Sequence, residues 1–118
     1  MDTTRSQIEI EYAFETFIEK VQIKINEHFA KQYANLTAPT VAVYPGRKYW
    51  KIVTEEAKTQ YGQQASVYGF VRKSDGAIFK AATWKAPYTK GDKAIRGNVC
   101  DGSNGMDATT QYSIRYAS

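Results

Sequence analysis

The densest grouping of chemically useful side chains lies between Arg47 and Arg96. Eleven Lys/Arg meet four acids there (Glu55, Glu56, Asp75, Asp92) and interleave with aromatic rings. Binding of single-stranded nucleic acid needs this combination: cations track phosphates, and flat rings stack on bases at about 1–3 kcal/mol per base. The candidate contacts are Lys48, Trp50, Tyr68, Phe70, Arg72, Lys80, Trp84, Lys85, Lys90, Lys93 and Arg96, with Tyr49 replacing Trp50 if the strand register is shifted. The same residues have a plainer use, because aromatics fit a pleated surface and a helix must cover one face of any sheet they form.

Other chemistry finds little support. One His and one Cys cannot build a zinc site, and His28 falls on a helical apolar stripe, where a structural role is expected. Asp101 to Asp107 (DGSNGMD) spaces its oxygens loosely like a calcium loop, but Tyr112 stands where the twelfth-position Glu is required. Cys100 is flanked by Val99 and Asp101, and a neighbouring carboxylate disfavours the thiolate. No Walker A or dinucleotide-binding glycine pattern appears, nor a pair of carboxylates in an acid–base setting. The sequence therefore predicts a non-catalytic protein with no metal and no cofactor.

At 118 residues the chain is read as one domain, 1–118, with a net charge of +4 and a pI near 9.1. The charge is uneven. Residues 1–40 hold four Lys/Arg against six Asp/Glu, whereas residues 41–118 hold twelve against six. An acidic front and a basic body suggest that the body meets an anionic partner. The single cysteine excludes an internal disulfide framework, acids interrupt any secretory apolar run, and no stretch reaches transmembrane length. A cytoplasmic protein with no membrane contact is expected.

These side chains need elements to hold them. Ser6 to Glu9 forms a capping box, and Ile10, Phe14, Phe17, Ile18, Val21, Ile25, His28, Phe29 and Leu36 recur at helical spacing. The spacing predicts a helix over 7–34, with Asn35 supplying a left-handed stop and Pro39 forbidding continuation. Such a helix is about 42 Å long, more than a sheet of this size covers, so either a second copy of the chain covers the overhang as a homo-oligomer or the helix kinks and stays covered by its own sheet. Thr40–Tyr44 and Tyr49–Thr54 read as strands around the Pro45-Gly46 turn, and Thr54 could cap a short helical turn.

The stretch QASVYGFVRKSDGAIFKAATW, Gln64 to Trp84, reads as a hairpin. A three-residue loop with Gly76 left-handed pairs Lys73 with Ala77. Val67, Val71, Ala77 and Phe79 then face the helix, while Tyr68, Phe70, Arg72, Ile78, Lys80 and Trp84 face outward. The sheet core spans 40–84, residues 85–109 form an irregular basic loop, and 110–116 return as an edge strand. The predicted fold is α+β: one long N-terminal helix packed across a curved antiparallel sheet of four or five strands.

The run Gly69-Phe70-Val71 … Asp75-Gly76-Ala77-Ile78-Phe79-Lys80-Ala81-Ala82-Thr83-Trp84-Lys85-Ala86-Pro87, followed by Ile95-Arg96-Gly97-Asn98, resembles small uncharacterised proteins of tailed bacteriophages and marine viruses. Tyr49-Trp50-Lys51-Ile52-Val53 fits the same pattern, so the likeness covers about 47–98 and leaves out the first helix. The resemblance implies a viral setting and supplies no catalytic residue. Small phage proteins commonly bind nucleic acid or a host protein. The expected function is binding of single-stranded nucleic acid through the aromatic, basic sheet face. The alternative is a protein-interaction or assembly module.

Overall fold

The computed structural model describes residues 6–33, 35–57, 60, 62–91, 93–110 and 113–114. One long helix, α1 (Gln7–Gln32), packs on a five-stranded antiparallel sheet whose order follows the chain: β1 (Thr40–Pro45), β2 (Tyr49–Glu55), β3 (Ala65–Arg72), β4 (Ala77–Phe79) and β5 (Ile95–Asn98). A single 3-10 turn, Met106–Ala108, follows β5.

α1 begins where the Ser6 hydroxyl accepts from the Glu9 amide at 3.2 Å, satisfying a donor that the first turn would leave open. Ile10, Phe14, Phe17, Val21 and Ile25 recur every three or four residues, and all are buried. The helix closes with the Tyr33 amide donating to the Phe29 carbonyl at 2.8 Å. It ends two residues short of the predicted boundary, and Leu36 is exposed, off the buried stripe. Asn35 does not take the left-handed turn expected of it. Among the described residues, Asn104 (φ 57°) is the non-glycine residue with positive φ. Lys24 ties α1 to the 3-10 turn, its Nζ donating to the Thr109 carbonyl and hydroxyl at 3.0 Å each. Gln22 reaches the opposite sheet edge: its Nε2 donates to the Pro39 carbonyl at 2.9 Å, and its Oε1 accepts from the Val41 amide at 2.7 Å.

The hairpin register differs from the expected one. Phe70 pairs with Phe79 and Val71 with Ile78, so four residues, Lys73 to Gly76, form the loop. Gly76 is left-handed (φ 79°) as predicted, and its amide donates to the Arg72 carbonyl at 2.8 Å. Asp75 selects this longer loop. Its carboxylate grips the Arg72 guanidinium at 3.0 and 2.7 Å and also accepts from the Ala77 amide at 3.1 Å. One extra loop residue inverts β4, because side chains alternate with period two. Ile78 therefore faces α1, while Ala77 and Phe79 point away from it.

β3 carries a second departure. The pairing steps from Ile52↔Gly69 to Val53↔Val67, a bulge that leaves Tyr68 unpaired and turns its ring under α1. Tyr68 is 1% exposed, and its hydroxyl donates to the Thr110 carbonyl at 2.6 Å. Burial pushes its phenol well above the ordinary value, so it stays a proton donor through neutral pH. Tyr68→Phe is expected to lower stability by about 1–2 kcal/mol, since the Thr110 carbonyl loses its buried partner. A urea midpoint unchanged from wild type contradicts this.

The sheet has two cores. The larger lies under α1 and gathers Phe14, Phe17, Trp50, Ile52, Tyr68, Val71 and Ile78 with Val99, Ala108 and Ile114. The smaller lies on the other face: Phe70, Ala77, Phe79 and Ala94, packed with Tyr49, Val67 and Ala81. The region expected to be an irregular loop over 85–109 provides that second cover. It folds back after β4 as a short finger and then supplies β5, which pairs with β4 across a bulge at Ile78/Phe79. The expected helical turn does not begin at Thr54, because β2 runs through Glu55, and its far end at Lys58 lies outside the described residues. The predicted edge strand 110–116 lies partly outside the described residues. Within them, Thr109 bridges Ile114, whose amide donates to the Tyr68 carbonyl at 3.1 Å.

Candidate nucleic-acid interface

The predicted binding residues divide sharply by burial. Trp50 is buried against α1, its ring stacked on Phe14 at 4.2 Å and 10°. Tyr68 lies in the same core. Phe70 does face away from α1, as predicted, but it is 3% exposed and packs on Phe79 and Tyr49. None of these three rings can offer a face to a base, which corrects the expectation of an open aromatic sheet. The physical reason is the finger and the segment after it, which cover the second face.

Arg72 is also committed. It is paired with Asp75 and sits 5.2 Å above the Phe79 ring. The hydrogen bond to Arg72 outweighs partial burial and holds the Asp75 carboxyl below its ordinary value. A depressed folded pKa means that this contribution is complete above the unfolded value near 3.8 and is lost as pH falls through the folded value. Asp101 behaves alike. Burial pushes its carboxyl up, but hydrogen bonds from the Gly105 and Ser103 amides and the Ser103 hydroxyl leave it lower overall. Asp75→Asn and Asp101→Asn should each destabilise the protein at pH 7, with the gap to wild type narrowing as pH falls below 3.8. For the half-exposed Asp75 pair the gap at pH 7 is under about 1 kcal/mol. Urea titrations at pH 7 and pH 3 measure it, and a gap undiminished at pH 3 counts against the ion pair.

Arg96 lies in β5 with its Nε and Nη1 shut off from solvent and without a hydrogen-bond partner, so it does not present the free guanidinium expected of it. Lys48, Lys85, Lys90 and Lys93 are exposed, and Lys80 is half-buried. Among the described residues, no group of three His, Cys, Asp or Glu side chains is placed to hold a metal ion. The Asp101 carboxylate is spent on its own turn.

What remains open is gathered at the finger. Its stem is the Ala81↔Pro87 bridge, closed by the Tyr88 amide donating to the Lys80 carbonyl at 2.7 Å. Within the tip, Ala82 and Thr83 amides donate to the Ala86 carbonyl at 3.0 and 3.2 Å. The Thr83 hydroxyl accepts from the Lys85 and Ala86 amides at 3.2 and 3.1 Å. This turn holds Trp84 out at its tip, 45% exposed. Lys51 of β2 places its Nζ 3.7 Å from the indole centroid and 5.9 Å from the ring of Tyr44 on β1. Desolvation, with the nearby Lys85 charge, lowers the Lys51 pKa. The exposed Tyr44 hydroxyl donates to Glu55 at 2.6 Å, which raises its pKa. Tyr88, at the finger's base, is exposed as well.

Lys51 and Tyr44 were missing from the sequence-derived set, although a signal for them existed. They are direct register partners across the Pro45–Lys48 turn, and alternation against the buried Trp50 and Ile52 places both on the face away from α1. Trp84 and Lys85 were in that set. The structure brings these four together, while Lys90 and Lys93 follow the finger on the chain.

A family described as "Family of unknown function (DUF7717)" matches residues 2–116 of the chain. No curated protein and no solved structure matches it.

Proposed function

Taking as premise that the chain belongs to the DUF7717 family, whose function is unknown, we propose that it is a non-catalytic binder of single-stranded nucleic acid. The observation that carries this reading is the half-exposed Trp84 ring backed by Lys51 at 3.7 Å. A cation over one face leaves the opposite face open to a base, while Lys51 and Lys85 meet the adjacent phosphates. Tyr88, Lys90 and Lys93 extend the contact along the chain. The interface is thus the finger and the β1–β2 strip beside it, and the rest of the sheet serves as scaffold. The partial resemblance to phage and marine viral proteins over about 47–98 supports a viral setting and action in the host cytoplasm. Among the described residues no helix is long and apolar enough to cross a membrane.

The test is a titration of fluorescently labelled oligothymidylate at 50 and 200 mM salt. Two or three phosphate contacts predict a roughly 8- to 20-fold loss of affinity across that range. No binding at 50 mM salt overturns the reading.

A second reading rests on α1. Ile8 and Tyr12 stand one turn apart and are 79% and 73% exposed, with Ile23 also exposed further along. That pattern supports a protein-interaction or homo-oligomer surface on the outer side of the helix. A concentration-dependent mass in solution that Tyr12→Glu abolishes supports it.

A further inference from the structure

A second basic site lies at the end of the sheet, away from Trp84's indole and lined by different residues. The β1–β2 turn and the β3–β4 turn meet there beside the start of α1. Together they frame a cleft of about 600 Å³ lined by Gln7, Glu11, Arg47, Lys48, Arg72, Lys73 and Ser74. The two turns are stitched to each other and to the helix. The Lys73 amide donates to the Lys48 carbonyl at 2.9 Å, and Gln7 Nε2 donates to the Lys73 carbonyl at 3.3 Å. The lining is therefore held by one backbone hydrogen bond between the turns and one from the Gln7 side chain.

Its charge is unbalanced. Arg72 is neutralised by Asp75, but the side chains of Arg47, Lys48 and Lys73 form no ion pair among the described residues, and Glu11 is the one carboxylate on the lining. Lys73 Nζ instead hovers 5.8 Å from the Trp50 ring. Three cations against one carboxylate leave the concavity with an excess of positive charge that a bound anion would offset. A guanidinium, two ammonium groups and the Ser74 hydroxyl are donors suited to a tetrahedral oxyanion. The amino end of α1 borders the cleft and adds to the positive field.

We propose that this cleft seats a phosphate group, and that in the bound state it is a backbone phosphate of the same strand whose base stacks on Trp84. This rests on the nucleic-acid reading for the source of the phosphate. The phosphate chemistry of the cleft stands without it. Lys48 and Lys51 are three residues apart on one stretch of chain, about 10 Å when extended, so one strand can reach both sites.

Pyrophosphate is the first probe. Followed by amide NMR on the intact chain, it should shift Lys48, Lys73 and Ser74, and the double variant Arg47→Gln/Lys48→Gln should weaken its binding at least tenfold. Lys20→Gln/Lys31→Gln removes equal charge from exposed positions of α1 outside both sites and should leave the cleft titration unchanged. Circular dichroism checks that both variants are folded. Oligothymidylate is the second probe, and Arg47→Gln/Lys48→Gln should reduce its log–log salt slope by about 1. Uniform small shifts across all basic residues, or equal loss in the two double variants, overturn the cleft. Pyrophosphate binding at the cleft with no oligonucleotide binding keeps the phosphate site and overturns the strand as its source. Oligonucleotide binding that depends on Trp84 but ignores Arg47 and Lys48 overturns the shared strand and keeps the reading at the finger.

Discussion

Trp84→Ala is expected to weaken the proposed oligothymidylate binding by about 5- to 150-fold, the equivalent of roughly 1–3 kcal/mol for one stacked base. The expectation follows from position. The indole stands at the tip of a hairpin finger, half exposed, and the finger's closing hydrogen bonds run through Thr83, Ala86, Lys80 and Tyr88 rather than through the ring. Truncating it removes a stacking surface without opening a core, so the thermal midpoint should move little. Trp84→Phe keeps a ring and should retain much of the affinity. Lys51→Ala should act in the same direction through the phosphate term and flatten the salt dependence, because the ammonium is both the indole's backing and a cation beside Lys85. A Trp84→Ala protein that binds as wild type removes the finger from the interface.

Phe17→Ala is expected to cost about 3–5 kcal/mol, a large share of the roughly 5–15 kcal/mol that holds a domain of this size together. Phe17 is fully buried at the centre of the α1-facing core. It lies so close to Gly105 that a Cβ there would stand 3.0 Å from its Cδ1, and Gly105 is left-handed at φ 79°. The ring therefore fixes the turn before Met106–Ala108 as well as the helix. The cavity left behind cannot collapse easily between a helix and a sheet that are both hydrogen-bonded. Phe70→Ala is the informative companion. As an exposed stacking ring it would cost little stability and much affinity, whereas its burial with Phe79 and Tyr49 predicts about 3 kcal/mol of destabilisation. Urea midpoints of the two variants measure both costs, and values under about 1 kcal/mol contradict the two-core arrangement.

The helix and the first three strands were legible because their signals are local. A capping serine, five apolar residues at helical spacing and alternation on either side of Pro45-Gly46 are all readable from neighbours in sequence. The hairpin parity was not, because the loop length is set by the Asp75 carboxylate bridging Arg72 and the Ala77 amide, and Asp-Gly fits several turn types equally well. The cover of the second face was hidden for a related reason. Its anchors include Ala81 and Ala94, residues too small to stand out as core positions. β5 carries Gly97 where a side chain would alternate, since a Cβ there would come within 3.0 Å of the Ala108 Cβ. The predicted binding set consequently lost three of its rings to the interior. Trp84 and Lys85 survive because a tight turn with a threonine cap carries them clear of the sheet.

The side chain of Gln22 has a consequence for how copies of this chain can assemble. Its amide takes the place of a peptide group beside β1, occupying the outward Val41 N–H and the Pro39 carbonyl. Outward donors recur every second residue along an edge strand, and the next two positions are Val43 and Pro45, the latter with no N–H to give. Only one outward donor of this strand is left for a neighbour. Lateral growth of the sheet past β1 is thereby disfavoured, and a Gln22→Ala protein is expected to show a new tendency to fibrillate.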